Sequence, residues 1–134
     1  LDGVAARLAA GRRVADENLL RVHRAGIPVA LGTDAGNPLT LHGPAVYAEL
    51  EAMQAAGMTP AEVLVAATRN AARAMNRPDL GTLAPGQAAD LLVLAADPAA
   101  DVAAFRRLTH VVRGGVLRAV EELRPLGASA ATEP

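Results

Sequence analysis

The sequence predicts an α/β fold over its first part and a set of short strands over its last part. Ile27-Pro28-Val29-Ala30-Leu31 is a short apolar run that stops at Gly32-Thr33-Asp34, with helical patterns on both sides. An apolar strand set between helices is expected to lie parallel to others in a sheet. The texture changes at Asp79, beyond which short apolar runs and turn dipeptides replace helical spacing. Residues 1–78 therefore read as helix, strand, helix, helix, and residues 79–123 as mostly short strands. The tail 124–134, with Pro125, Gly127 and small residues, is expected to be disordered. There is no internal repeat.

Leu1 to Ala25 is helical in pattern, with Ala15, Leu19 and Val22 on one face and Gly11 expected to split or kink it. Gly26 suits a C-terminal cap and Pro28 prevents continuation. The strand follows, then a loop from Ala35 to Gly43. Pro44 suits the first turn of a helix reaching about Ala56, with Val46, Leu50 and Met53 on one face. Thr59-Pro60-Ala61-Glu62 is a capping box with proline at the first helical position. The helix it starts is expected to reach Met75, with Leu64, Ala67, Ala71 and Ala74 facing inward.

Leu80 to Leu83 reads as a short extended segment, and Pro85-Gly86 as a tight turn. Ala89 to Ala95 is a strand around Leu91, Leu92, Val93 and Leu94. Asp101 is placed to cap a short helix through Phe105. His110-Val111-Val112-Arg113 and Val116-Leu117-Arg118-Ala119-Val120 flank Gly114-Gly115, the pattern of a hairpin.

Composition narrows the chemistry. The 134 residues suit one ordinary domain or two pieces of a larger one. Hydrophobic residues make up 51 %, largely alanine, while Tyr47 and Phe105 are the only aromatic residues. A core poor in rings buries little area per residue, so the helices are expected to pack against something else. The formal net charge is -1 and no basic stripe is present, which argues against a nucleic-acid partner. Every basic side chain other than histidine is arginine, so lysine Schiff-base chemistry and a carbamylated-lysine bridge are excluded within this sequence. No cysteine is present, which excludes disulfides and thiolate sites. No apolar run is long enough for a membrane span. The sequence opens Leu1-Asp2-Gly3 with neither an initiator methionine nor a signal-peptide pattern. It is expected to be a piece of a longer, cytoplasmic protein.

Asp34 is the candidate catalytic residue, because chemistry in α/β folds sits beyond the carboxyl ends of strands. Gly32 and Gly36 on either side would let a ligand approach the backbone. Three readings stand for Asp34. It is a metal ligand or general base, or a turn residue bonded within its own loop, or a cap, for which Pro44 lies too far on. His42 either contacts substrate or hydrogen-bonds its loop; it lacks a paired ligand nearby in sequence. His23 and His110 read as structural. Glu49 and Glu51 do not share a helix face and are weak candidates for paired acid–base work. Asp90 reads as a turn residue, and Thr68 and Asn70 could bond neighbouring loops. No phosphate-binding glycine loop, serine elbow or His-x-His motif occurs.

Taken in order, the motifs carry a resemblance. They are Gly32-Thr33-Asp34-Ala35-Gly36, Leu41-His42-Gly43, Glu49-Leu50-Glu51, Ala56-Gly57-Met58-Thr59-Pro60-Ala61-Glu62 and Ala66-Ala67-Thr68-Arg69-Asn70-Ala71-Ala72. Leu80-Gly81-Thr82-Leu83-Ala84-Pro85-Gly86-Gln87-Ala88-Ala89-Asp90-Leu91 and Asp97-Pro98 follow. From Ala15 to Val120 the series resembles the C-terminal third of metal-dependent amidohydrolases, in the branch related to imidazolonepropionase.

The resemblance implies the last strand and helices of a (β/α)8 barrel over 1–78, followed by the C-terminal part of a small β-sandwich over 79–123. It also implies a divalent metal, zinc by preference, with Asp34 as its ligand or facing it. In that family the matching aspartate takes a proton from the metal-activated water and passes it to the leaving group. The implied substrate is a small amide, cyclic amide or dipeptide-like molecule, cleaved at a C–N bond.

The family's other metal ligands, a His-x-His pair among them, are absent from these residues, and one carboxylate does not hold a catalytic zinc, which typically takes three protein ligands. A single parallel strand also leaves both edges open. The chain alone is therefore expected to be inactive, needing the N-terminal part of the barrel or a complementary chain. A non-catalytic, alanine-rich interaction module and one chain of a split hydrolase are the alternative readings.

Overall fold

In the computed structural model, residues 2–38 and 40–123 are described. The tail expected to be disordered lies outside them. Helix α1, Asp2–Arg24, runs unbroken for 23 residues. The expected break at Gly11 does not occur. Glycine costs a helix only about 1 kcal/mol relative to alanine, and strong helix formers surround it. Arg12–Asp16 and Arg13–Glu17 pairs, at 3.9 and 3.8 Å, bridge the turn that follows. Gly26, at φ +76°, ends the helix as expected, with its N–H on the His23 carbonyl at 3.0 Å.

Helix α2 spans Pro44–Ala55 and helix α3 spans Pro60–Val65. The capping box forms: the Glu62 N–H donates to Thr59 Oγ1 at 3.3 Å, and the Thr59 N–H donates to Glu62 Oε2 at 2.8 Å. The helix continues through a π turn, Ala66–Asn70, into helix α4, Ala71–Ala74. This turn moves the inward face. Val63, Ala66 and Ala72 are buried, whereas Ala74, expected inside, is exposed. A five-residue turn slips the helical phase by one position, and an alanine-rich sequence offers little apolar contrast to forecast it.

Glu62 also meets α1, where His23 Nε2 lies 2.9 Å from Glu62 Oε1. This imidazole bond, followed by the Thr59 backbone and hydroxyl bonds, lowers the Glu62 carboxyl from 4.5 to about 2. A depressed folded-state pKa adds stability that is complete above the unfolded value and is lost as pH falls toward the folded one. Glu62→Gln should therefore unfold at a lower temperature than the parent from neutral pH down to about 4.5, with the gap closing as pH approaches about 2. Thermal melts of both chains across that range measure it.

Strand β1, Leu91–Leu94, pairs antiparallel with β2, Leu108–Arg113, which pairs antiparallel with β3, Val116–Ala119. The expected hairpin forms at Gly114-Gly115, with both glycines at positive φ (57° and 82°). Asp90 Oδ1 accepts the Gly114 N–H at 2.7 Å, the turn role expected of it. Asp101 accepts the Ala103 N–H at 3.0 Å and caps a 3-10 helix, Val102–Arg107. Leu80 to Leu83, expected to be extended, instead bends around Gly81 at φ +82°.

The core joins these pieces. Leu50, Met53, Met58, Val63, Ala66 and Val102 are buried together, with Leu19, Leu20, Val29, Leu31 and Phe105 packed against them. Polar bonds hold the 3-10 helix on α2. The Arg106 guanidinium forks onto Glu51, with Nη2 3.0 Å from Oε2, and stacks 5.3 Å from the Tyr47 ring centroid. The Gln54 side chain accepts the Val102 N–H at 3.0 Å and donates to Asp101 at 3.3 Å. By contrast, the first half of α1 stands clear of the core, with Leu8 70 % exposed.

The predicted strand at Ile27–Leu31 is extended but is not part of a sheet. A strand needs a neighbour to form its ladder, and no other strand lies beside it among the described residues. Nor are both its edges open. The Leu31 N–H donates to the Ala66 carbonyl at 3.1 Å, and Asn70 Nδ2 donates to the Val29 carbonyl at 2.8 Å. The π turn thus covers one edge.

Candidate functional site

Asp34 ends the extended segment, exposed to solvent, with its backbone in the left-handed region at φ 48°. Aspartate and asparagine tolerate that conformation better than most side chains. Asn37 fixes the carboxylate from across the turn: its Nδ2 donates to Asp34 Oδ2 at 2.7 Å and to the Asp34 carbonyl at 3.0 Å. The Gly36 N–H donates to the Thr40 carbonyl at 3.1 Å, and the Thr40 N–H to the Asn37 carbonyl at 3.0 Å. The loop is therefore closed on itself, with the carboxylate on its outer side. Among the described residues, no donor reaches the other carboxylate oxygen.

His42 is exposed and folds back over the same loop, its Nε2 3.6 Å from where a Cβ on Gly36 would stand. Gly36, at φ +108°, lets the imidazole approach the turn. Asp34 and His42 thus share one loop, and no hydrogen bond links them among the described residues. Beside the loop, α1 and α2 border an open cleft of about 470 Å3, lined by Arg12, Thr33, Thr40, Leu41 and Glu49.

The other histidines take no part. His23 is bonded to Glu62, and His110 lies inside β2 beside Thr109 Oγ1 at 3.1 Å. Among the described residues Thr68 bonds only its own helix, its hydroxyl donating to the Leu64 carbonyl at 2.6 Å.

The donor set decides what this chain can hold. Among the described residues no group of three or more His, Cys, Asp or Glu side chains comes together as a metal site. Asp34 can supply one ligand to a site but does not make one. These residues do not by themselves fit a catalytic metal.

Two features of the site were not picked out from sequence. Asn37 as the partner of Asp34 was one, and its signal is an amide three positions after an aspartate across a glycine. The closeness of Gly81 to the helix was the other. A Cβ there would lie 2.7 Å from the Thr68 carbonyl oxygen, and nothing local announces that approach.

Against known proteins, the Amidohydrolase family pattern matches residues 7–118. The chain belongs to the amidohydrolase family. Among curated relatives, imidazolonepropionase of Ruegeria pomeroyi is 41 % identical over 102 residues, covering 74 % of this chain and 25 % of the relative. Ochratoxinase of Aspergillus niger is 36 % identical over 115 residues, covering 80 % and 22 %. Among solved structures, molinate hydrolase superposes with a TM-score of 0.72 at 32 % identity, covering 88 % of this chain and 29 % of that one. The chain thus spans a quarter or less of the length of these two curated relatives. Its structural neighbours point to a TIM-barrel-related fold, of which helices and a three-stranded antiparallel sheet are seen here.

Proposed function

We propose that this chain is the C-terminal portion of a metal-dependent hydrolase that cleaves C–N bonds in a small amide, cyclic amide or dipeptide-like substrate. The observation that carries the reading is Asp34. Its exposed carboxylate closes the extended segment Ile27–Leu31, in a chain similar to imidazolonepropionase and ochratoxinase. Residues 1–78 would be the end of the barrel, and residues 79–123 part of a composite β-sandwich.

Asp34 is the metal ligand or general base. The chemistry that a divalent metal, zinc by preference, supplies to such a site is a water of lowered pKa. The remaining ligands would come from residues outside these 134. What this chain contributes is a carboxylate held by Asn37 on one oxygen, the other having no donor among the described residues, to take up a proton and hand it on. His42, on the same loop, is the substrate contact.

The chain alone is catalytically silent in this reading. Purified with added zinc, it should turn over no N-acyl amino acid, cyclic amide or dipeptide. Combined with a His-x-His-bearing barrel portion, it should hydrolyse at least one of them. Turnover by the chain alone would overturn the reading.

A second reading has its own support in the exposed apolar side chains Val4, Leu8 and Val14 of α1. These suit a non-catalytic module that packs its alanine-rich helices on a partner. A combined protein that neither binds metal nor hydrolyses any of these substrates would favour it. Co-purification with a His-x-His-bearing partner chain would instead indicate a hydrolase split between two chains.

A further inference from the structure

The geometry points to Asn70 as a positioning residue that fixes the segment carrying Asp34. The inference rests on the reading of Asp34 as the functional carboxylate. In an extended segment, the backbone groups of alternate residues face the same edge. Val29 and Leu31 share one edge of Ile27–Leu31, since both bond the same turn. No strand lies beside them among the described residues, yet two of their backbone groups are bonded. Asn70 Nδ2 donates to the Val29 carbonyl at 2.8 Å, and the Ala66 carbonyl accepts the Leu31 N–H at 3.1 Å.

Both partners come from the two ends of one π turn, Ala66–Asn70. In a regular α-helix each carbonyl is committed to the residue four positions on, and a π turn is where that register loosens. The turn lends the segment one backbone carbonyl and one side-chain amide. Its other contact holds it in place. Gly81 presses on it so closely that a Cβ would lie 2.7 Å from the Thr68 carbonyl oxygen and 2.8 Å from Arg69 Cα. The turn is thus set between the extended segment and the chain leading to the sheet.

Asp34 is three positions beyond Leu31, so the place of the carboxylate follows the place of the segment. Asn70 makes no hydrogen bond to Asp34 among the described residues and acts through Val29. The Val29 carbonyl only accepts, so the amide must present its nitrogen, and a carboxylate at the same position would have nothing to donate.

The test is nuclear magnetic resonance on the isotope-labelled 134-residue chain, with amide exchange as its main readout. Asn70→Asp keeps the side-chain size and removes the donor; Asn70→Ser shortens the reach and guards against an unfolded Asp variant. In either variant, exchange at the Leu31 amide should speed up roughly fivefold to tenfold, the equivalent of about 1 kcal/mol for one hydrogen bond. The amide signals of Thr33 and Asp34 should shift, while the amides of the β1–β2 ladder keep their protection. Thr68→Val, which removes a hydroxyl bonded to the Leu64 carbonyl of its own helix, should leave Leu31 and Asp34 unmoved.

Unchanged Leu31 exchange and Asp34 signals in both Asn70 variants would overturn the inference. So would equal loosening of the β1–β2 ladder, which would make Asn70 a general prop. The readout does not involve turnover. An Asp34 with no part in metal binding would remove the functional reading without changing these spectra, and unmoved spectra would leave that reading intact.

Discussion

Asp34→Asn, made in a protein that combines this chain with the rest of a barrel, should lower kcat by roughly a hundredfold to ten-thousandfold, the range for loss of a positioned acid–base group. Its fold should survive. Asn is among the side chains that tolerate positive φ, and φ here is 48°. The new amide also keeps an oxygen to accept the Asn37 side chain. Since the position is exposed, stability should change by no more than about 0.5 kcal/mol. Activity lost with the urea midpoint kept is the signature of a chemical role. Alanine is the poorer choice, because it would add backbone strain and remove the Asn37 contact together. If kcat is retained, Asp34 is a turn residue and no more.

Gly81→Ala should show the largest effect on stability, about 2–4 kcal/mol. Two costs combine. The backbone sits at φ +82°, which strains any side chain, and the new methyl group would meet the Thr68 carbonyl oxygen and Arg69 Cα at 2.7 and 2.8 Å. Both are backbone atoms within a helix and cannot swing aside. Gly86→Ala is the control that separates the costs. Gly86 has nearly the same φ, +87°, with nothing within 4 Å of its Cβ position. It should lose only the conformational part, about 1 kcal/mol. Urea unfolding of the three chains measures both, and equal losses would mean that the segment at Gly81 moves away from the helix freely.

Features fixed by neighbours in sequence were legible from the residues alone. The Thr59–Glu62 capping box, Pro44 at a helix start, the Gly114-Gly115 hairpin and the Asp101 cap all depend on a few adjacent positions. Each is found as expected. Features set by distant partners were not legible. A helix passes through Gly11 because its flanks carry it. The inward face after Val65 follows a π turn that meets the extended segment and Gly81. Ile27–Leu31 has the composition of a strand, but a sheet requires residues that only another segment can bring. Its bonds to Ala66 and Asn70 link positions about forty residues apart, although the sequence does suggest Asn70 as able to bond a neighbouring loop.

The candidate site divides the same way. Asp34 was legible because an apolar run stops there. His42 was legible as a loop residue, while its approach to Gly36 was not. The ligands that would complete a metal centre are not among these residues, so neither the sequence nor the fold assembles the site.

The most direct test of the central claim is the metal content of the combined protein, with and without Asp34. After dialysis against trace zinc, elemental analysis should find stoichiometric metal in the parent and a clear deficit in Asp34→Asn, with both proteins folded. Equal metal in the two would contradict Asp34 as a ligand, and none in either would contradict the assignment of Asp34 to a metal centre.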